Sequence, residues 1–526
     1  MSAVYQERIR DVDDFVEADE VFAALKADLL SDSWSELGHG ELERRVRTGG
    51  WELLRSLLQS HYTLRARREP LEPVVGADGR RRAHVRPGKS RTMKTVFGPI
   101  RVERTGYRGR GVSELHPVDA SLNLPSHTYS HELERQAVLS SIEMSFEAAI
   151  EALRRTTASA VGKRTVEVLM QRAAIDFESF YELQEWTEET LKDTGELLII
   201  SVDQKGVVMV PDDLTPETRR VAERQRTTLR AIDNRDGKDH ASGRKRMATV
   251  ATVYTIQPDE RDAADIVQGL RRLKDSSLRS RRTVRPELKR LWASLEHEPQ
   301  VTVDEAFAEA RKRDPRGEKK WIVLVDGDQD LERWVKRAAK RHGAKIVLAL
   351  DLIHALQYLW RAGKALQQVG GTKLEDWVLE RVERLLRGKV SDVVAGMRRA
   401  ATKLGLIADK RKEVDLCANY FLRRKRMMCY DKLLAWGAPI ATGVIEGGCR
   451  HLIQIRLERA GAKWTLRGAE AMMRLRAIAI SGDFDEYWCY HEQQEFSRNH
   501  AAAYADQMPP PVAPTSDGKP WLRVVR

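Results

Sequence analysis

Cysteine is scarce in this sequence, and the features that mark export or membrane insertion are missing. The chain has four cysteines and no C-x-x-C pair, which argues against a disulfide framework or a zinc site and fits a reducing compartment. No segment approaches the roughly 18 consecutive apolar residues of a membrane span. The start, MSAVYQERIRDVDD, lacks the apolar centre of a signal peptide. We therefore expect a cytoplasmic protein without a membrane partner.

Positive charge is in excess. The chain carries 90 lysine and arginine residues against 78 aspartate and glutamate residues, a formal net charge of +12. This sign favours a polyanionic partner such as nucleic acid, but many basic proteins bind none, so charge alone leaves the question open. The length of 526 residues is too great for one core and predicts two to four domains.

The chain changes character several times, and we divide it into seven segments. The predicted segments are 1–64, helical; 65–125, a basic β-hairpin region; 126–190, a helix-turn-helix-like module; 191–351, the first part of an α/β core; 352–440, an all-helical insertion; 441–495, the last part of the core with a carboxylate-bearing helix; and 496–526, a proline-rich tail expected to be disordered. The predicted fold class is therefore multidomain α/β plus α.

Two N-terminal segments suit contact with DNA. In TVFGPIRVERTGYRG, alternating residues predict a hairpin around Gly98-Pro99, within a run of arginines and lysines that could follow phosphates. Residues 128–175 predict three short helices, the last of which begins near Lys163 and Arg164. This helix could enter a DNA groove, and a three-helix bundle without DNA contact is the alternative.

Two strand patterns each end in an aspartate. ELLIISVDQKG predicts a buried strand that delivers Asp203, with a turn at Gly206, and WIVLVDGDQD predicts another that delivers Asp326. GVVMV predicts a second strand, RMATVATVYTIQP a third and KIVLALD a fifth, which ends at Asp351. Residues 262–313 are strongly basic and predict helices.

A third carboxylate, Glu446, lies in TGVIEGGCRHLIQIRLERAGAKW, which predicts a helix from about Gly443. Its spacing places four residues on about one face, with the arginine expected near a phosphate: Glu446, Arg450, Ile453 and Leu457. Carboxylate oxygens are the ligands that Mg²⁺ prefers, and two such ions serve both ends of an in-line displacement at phosphorus. An aspartate at a strand end is often only a turn or cap residue, however. The rival carboxylates are Asp328, Asp330, Asp351, Glu458 and Glu470.

The order strand–Asp, strand–Asp, helix–Glu resembles the DDE core of RNase H-like polynucleotidyl transferases. The chain also resembles ISKra-type insertion-sequence transposases of bacteria. The stretches that carry this resemblance are FGPIRVERTGYR, ISVDQKGVVMV, GRKRMATVATVYTI, VLVDGDQDLERW, LDLIHALQYLW, GVIEGGCRHLIQIRLERAGAKWTLRGAEAMMRLRA and SGDFDEYW, in order from about residue 90 to 495. The resemblance implies an RNase H-like core, with Asp203, Asp326 and Glu446 as catalytic residues and ligands of two Mg²⁺ ions, for which Mn²⁺ is expected to substitute.

The same resemblance implies accessory residues and partners. DLIH matches a C/D-x-x-H motif after the fifth strand, which makes Asp351 and His354 accessory active-site residues, with Arg450 beside them. The DLIH motif departs from the family, in which an aromatic residue often precedes the histidine. The implied partners are terminal inverted repeats and target DNA, bound by a homodimer or higher oligomer in the bacterial nucleoid.

The helical insertion contains a basic cluster beside aromatic residues. Arg423, Arg424 and Arg426 follow Tyr420 and Phe421, a combination that suits a DNA strand with an unstacked base. A solvated helix face over an aromatic core is equally compatible. Three functions compete at this point: a DDE transposase, a catalytically silent DNA-binding or regulatory protein of the same fold, and a structure-selective nuclease.

Overall fold

The computed structural model describes residues 15–69, 71–226, 244–272, 284–366 and 372–511. Their contacts divide the chain into two compact units, Met1–Phe180 with Phe484–Arg526 and Tyr181–Asp483. A multidomain α/β architecture, as expected from the sequence, agrees with this division. The finer boundaries of the seven predicted segments stay predictions.

The first unit combines helices with two small antiparallel sheets. Its elements are α1 (Val16–Leu30), α2 (Asp32–Ser35), α3 (His39–Arg67), β1 (Val74–Val75), β2 (Arg81–Arg82), β3 (His84–Thr95), β4 (Gly98–Arg108), α4 (Pro117–Ser121), α5 (His131–Glu143), α6 (Phe146–Thr156) and α7 (Lys163–Ala173). The boundary between the units falls within α8 (Phe177–Leu183). The three helices predicted between residues 128 and 175 are α5, α6 and α7.

The predicted hairpin is present, but its turn is displaced. Strands β3 and β4 pair antiparallel as far as Thr95 with Gly98, so the turn lies at residues 96–97 rather than at Gly98-Pro99. Helix α3 continues through Gly49-Gly50, although a pair of glycines often interrupts a helix. A β-carbon on Gly49 would lie 2.7 Å from Leu25 Cδ1, so this glycine allows α1 and α3 to approach closely.

The C-terminal segment differs from its prediction. Helix α22 (Phe484–Asn499) and two short 3₁₀ turns, Ala501–Ala503 and Ala505–Gln507, belong to the first unit and are ordered. Residues 484–495 were expected with the α/β core, and disorder was expected from residue 496. The side chains of Phe484, Tyr487 and Trp488 are buried, which explains why this helix packs within the unit. Residues 512–526 of the predicted tail lie outside the described residues.

The second unit is built on a five-stranded mixed sheet. Its elements up to the last strand are α9 (Glu188–Asp193), β5 (Leu197–Val208), α10 (Pro216–Arg226), β6 (Lys245–Ile256), α11 (Ala263–Arg272), β7 (Glu287–Ser294), α12 (Pro299–Arg313), β8 (Lys320–Val325), α13 (Gln329–Arg341) and β9 (Ile346–Leu350). The strand order is β7-β6-β5-β8-β9. The β7–β6 and β6–β5 pairs are antiparallel, whereas the β5–β8 and β8–β9 pairs are parallel. Strand β5 is central, and residues 197–202 are all buried.

Two strand predictions were wrong, although five strands were expected and five are present in this sheet. Strand β5 continues through Gly206, so GVVMV is not a separate strand. Strand β7 lies in the basic stretch 262–313 that was predicted to be helical. Its pairing with β6 buries Leu291, Trp292 and Ala293, and this long-range packing outweighs the local pattern of charges.

The helical insertion is present and starts and ends at one place. The helices that follow β9 are α14 (Leu352–Leu366), α15 (Thr372–Leu386), α16 (Val390–Lys403), α17 (Ala408–Arg423), α18 (Tyr430–Ala435), α19 (Gly443–Cys449), α20 (Ile455–Leu457) and α21 (Leu466–Ser481). The Leu352 amide donates to the Ile440 carbonyl at 3.0 Å, so the chain returns to the end of β9. Among the described helices, none has the length and hydropathy to cross a membrane.

Candidate active site

Asp203 and Asp326 lie at matching positions just beyond the point where the parallel pairing of β5 and β8 ends. Strands β5 and β8 run parallel, and their last paired residues are Ser201 and Leu324. Two further positions along that register bring Asp203 level with Asp326, which directly follows β8. Both aspartates are half-buried. The prediction that two strands deliver two neighbouring carboxylates therefore agrees with the register.

Electrostatics link these two carboxylates. Burial raises the pKa of Asp326, and the negative charge of Asp203 raises it further. The Asp328 amide, which donates to Asp326 Oδ1 at 2.8 Å, and the nearby His354 act in the opposite direction. The net rise in pKa is what two like charges produce when they share a desolvated site.

The neighbouring aspartates have other partners. Asp328 caps α13, since its Oδ1 accepts from the amides of Asp330 at 2.8 Å and Leu331 at 2.9 Å. Asp330 is exposed and pairs with Arg333. Both rivals are engaged in helix capping or surface pairing, whereas Asp326 lies level with Asp203 in the register and feels its charge.

Asp351 is buried where β9, α14 and α19 meet, and its carboxylate bonds to groups at the start of both helices. Its carboxylate accepts from the Ile353 amide at 2.9 Å, from His354 Nδ1 at 3.1 Å, and from both the amide and the hydroxyl of Thr442. Burial alone would raise the pKa of Asp351, but the hydrogen bonds from His354 and Thr442 outweigh it and the pKa is lowered. Thr442 directly precedes α19, so the Asp351 carboxylate holds the start of the helix that carries Glu446.

His354 is positioned by its contact with Asp351. The hydrogen bond to Asp351 raises the pKa of His354, burial opposes the rise, and the charges of Asp326 and Asp203 add to it. With Nδ1 directed at Asp351, Nε2 is the ring nitrogen left for other partners. The predicted pair of Asp351 and His354 therefore exists as a contact and lies within electrostatic reach of both strand aspartates.

Glu446 lies on α19, which packs on β5 and β6, but its side chain is exposed. A π-helical turn, Arg450–Gln454, follows the helix and interrupts the regular spacing. Arg450 is exposed like Glu446, while Ile453 is buried, so the predicted common face is divided between solvent and core. Within the described ranges, no group of three or more His, Cys, Asp or Glu side chains is arranged to hold a metal ion.

The two rivals of Glu446 have structural partners. Glu458 Oε1 lies 3.1 Å from Lys245 Nζ. Glu470 is buried on α21, where its Oε2 accepts from the Leu295 amide at 2.7 Å. Neither interaction involves the two strand aspartates, so Glu446 remains the candidate from the C-terminal helices.

Cys449 is a contact of Asp203 that the sequence reasoning missed. Its Sγ lies 3.4 Å from Asp203 Oδ2. Burial raises the pKa of the thiol, and the nearby charge of Asp203 raises it further, so the sulfur keeps its proton and donates a hydrogen bond to the carboxylate. The available signal was spacing, because a residue three positions after Glu446 lies on the same side of a helix.

The predicted DNA-contacting residues fall into two groups. Lys163 and Arg164 are exposed on the first turn of α7, where Lys163 pairs with Glu147 at 2.5 Å. Arg423 and Arg426 are exposed at the end of α17 and just beyond it. Arg424 differs, because its Nε donates to the Gly327 carbonyl at 2.7 Å. The DNA contact of Arg424 stays a prediction, and the guanidinium already has a partner within the protein.

Comparisons with known proteins give little to set beside this geometry. No family model matches the chain, and no curated protein matches its sequence. Among solved structures, the chain is similar to one in the Drosophila P element transposase strand transfer complex. That similarity has 8% identity and a TM-score of 0.24, and it covers 70% of this chain and 81% of the other. A similarity of this extent carries no functional argument.

Proposed function

We propose that this protein is a DDE transposase, a metal-dependent polynucleotidyl transferase with an RNase H-like core that cuts and joins DNA at the ends of an insertion sequence. One observation carries the proposal. Two partly buried aspartates, one within β5 and one directly after the parallel neighbour β8, lie at matching register positions, and the pKa of one is raised by burial and by the charge of the other. Two carboxylates in this arrangement favour a divalent cation as partner.

The donor set fits Mg²⁺, and Mn²⁺ as its substitute, because the carboxylates offer hard oxygen ligands. Asp203 and Asp326 are the proposed principal ligands. Glu446 is the proposed third, since its helix packs on β5 and β6 and carries Cys449 to Asp203. When bound, two such ions activate the attacking oxygen and stabilise the leaving oxygen of the phosphodiester.

The other residues of the site would orient the DNA strand. His354, held through Nδ1 by Asp351, can present Nε2 to a phosphate oxygen. Arg450, exposed one turn after Glu446, suits a flanking phosphate by the bidentate geometry of guanidinium. His354 would supply a hydrogen-bond donor and Arg450 a positive charge to the phosphates that approach the carboxylates.

Binding of the terminal inverted repeats is proposed for the N-terminal modules. Lys163 and Arg164 lie on the first turn of a helix, whose N-terminal end attracts phosphate. Arg423 and Arg426 are proposed to contact the strand at the catalytic step. Target DNA, a homodimeric or larger synaptic complex and a nucleoid location in the cytoplasm belong to the same proposal.

The test is Mg²⁺-dependent cleavage and joining of DNA that carries the two ends of the element around the gene. We expect Asp203→Asn and Asp326→Asn to lower cleavage at least about 10³-fold, since each removes a metal-bound charge. Binding of end DNA, measured by fluorescence anisotropy, should change little. Asp330→Asn is the matched control, because Asp330 is an exposed aspartate four residues from Asp326.

Retention of normal cleavage by Asp203→Asn would overturn the proposed mechanism. Binding of end DNA by a wild-type protein that never cleaves it with Mg²⁺ or Mn²⁺ would instead favour the catalytically silent DNA-binding protein.

A further inference from the structure

The helical insertion contacts the loop that carries Asp326. The Tyr420 hydroxyl of α17 donates to the Asp326 carbonyl at 2.9 Å. Arg424, immediately after α17, donates through Nε to the Gly327 carbonyl at 2.7 Å, and a second guanidinium nitrogen donates to the same oxygen. Both carbonyls of the segment that follows β8 are therefore held by one helix end.

The two donors are themselves fixed by stacking. The Tyr358 ring of α14 stacks on Tyr420 with 3.7 Å between centroids and 10° between planes. The Arg424 guanidinium also lies over the Tyr420 ring, 4.2 Å from its centroid. The Tyr420 ring, in contact with both the Tyr358 ring and the Arg424 guanidinium, has little rotational freedom, so its hydroxyl keeps one direction.

The loop is shaped to receive these donors. Gly327 has φ +91°, a conformation that side chains rarely adopt. A β-carbon there would lie 2.6 Å from Arg424 Nε, 2.7 Å from Tyr420 Oη and 2.8 Å from Leu350 Cδ1. The glycine therefore permits the close approach that both hydrogen bonds need.

We infer that Tyr420 and Arg424 are positioning residues for Asp326, so that the insertion completes the carboxylate site through its backbone contacts. The hydrogen bonds fix the peptide groups on either side of Gly327, and with them the direction in which the Asp326 carboxylate leaves the strand. A metal-binding carboxylate must be held to within about 0.5 Å, which an unsupported loop does not achieve. The metal in this inference rests on the proposed function, but the backbone contact does not.

The experiment uses full-length Tyr420→Phe and Arg424→Gln. The first keeps the stacked ring and removes one hydroxyl; the second removes the guanidinium fork. Arg423→Gln is the control, because Arg423 is the exposed neighbour on the same helix. Three quantities are measured: the Mn²⁺ dissociation constant by calorimetry, amide hydrogen exchange at residues 326–331, and the thermal unfolding midpoint.

We expect both variants to weaken Mn²⁺ binding about tenfold, the usual cost of losing support behind a metal ligand. Exchange at residues 326–331 should accelerate, while the unfolding midpoint stays close to that of Arg423→Gln. Unchanged Mn²⁺ affinity in both variants, with Asp203→Asn lowering it, would overturn the inference. If the wild-type protein binds no Mn²⁺, the proposed function fails, and unchanged exchange at residues 326–331 would then overturn the inference separately.

Discussion

At the scale of single residues, the site is defined by what each polar atom already contacts. Asp328 and Asp326 are two positions apart, yet Asp328 caps α13, whereas the pKa of Asp326 is raised by the charge of Asp203. Spacing alone could not separate them. The hydrogen bonds distinguish them, because the two backbone amides that donate to Asp328 Oδ1 hold this carboxylate at the start of α13.

The thiol of Cys449 gives a prediction at this scale. Cys449 is 5% exposed and its pKa is raised by burial and by Asp203, so it should remain a protonated, unreactive thiol. Cys489 is exposed and serves as the internal control. In native protein at pH 8, we expect iodoacetamide to modify Cys489 at least about tenfold faster than Cys449. Peptide mass spectrometry measures both rates, and equal rates would contradict the contact with Asp203.

At the scale of elements, ion pairs and hydrogen bonds to Asp176 hold α22 within the first unit. Asp176 is buried and contacts His491 Nδ1 at 2.7 Å and Arg498 Nη1 at 2.5 Å, and Arg498 also pairs with Glu495. Burial alone would raise the pKa of Asp176, but the hydrogen bonds from His491 and Arg498 lower it. A carboxylate with a lowered pKa stabilises the fold above its unfolded pKa, and that stability is lost as the pH falls through the folded pKa.

Asp176→Asn should therefore destabilise the protein in a pH-dependent way. At pH 7 we expect a loss of about 2 kcal/mol, reduced from the fully buried value because Arg498 is partly in solvent. The difference from wild type should shrink below about pH 4, where the unfolded carboxyl is protonated. Urea unfolding at several pH values measures it. Asp485→Asn is the control, since this exposed aspartate of α22 pairs with Arg135 at the surface. A loss that does not vary with pH would count against the ionic role.

At the scale of the whole molecule, the first unit is assembled from both ends of the chain. The Tyr487 hydroxyl of α22 donates to the Ala173 carbonyl at 2.5 Å, and the Phe180 and Tyr487 rings meet edge to face at 5.4 Å. Asn123 donates to the Glu492 carbonyl at 3.0 Å. The predicted DNA-binding modules consequently depend on residues more than 300 positions away.

A fragment of residues 1–180 should for this reason be unstable unless residues 484–511 are supplied. Without α22, the unit loses three buried aromatic side chains, Phe484, Tyr487 and Trp488, and the surface that they cover becomes exposed to water. Burial of one such side chain contributes about 1.5–3 kcal/mol, so we expect a lower unfolding midpoint and binding of a hydrophobic dye. Linking residues 484–511 to the fragment should restore both, as measured by circular dichroism and dye fluorescence. Equal midpoints with and without the C-terminal segment would refute this dependence.

The sequence by itself determined the elements whose signal is local. Short-range periodicity, which needs no knowledge of partners, predicts the strand that carries Asp203, the strands that lead to Asp326 and Asp351, the three helices of residues 128–175 and the helical insertion. Tertiary structure decided the rest. It made a strand of the basic stretch at β7, joined α22 to the first unit, and brought Tyr420, Arg424 and Cys449 to the aspartates. These features arise from contacts between residues far apart in the chain, and the energy of burying and pairing them outweighs local preference.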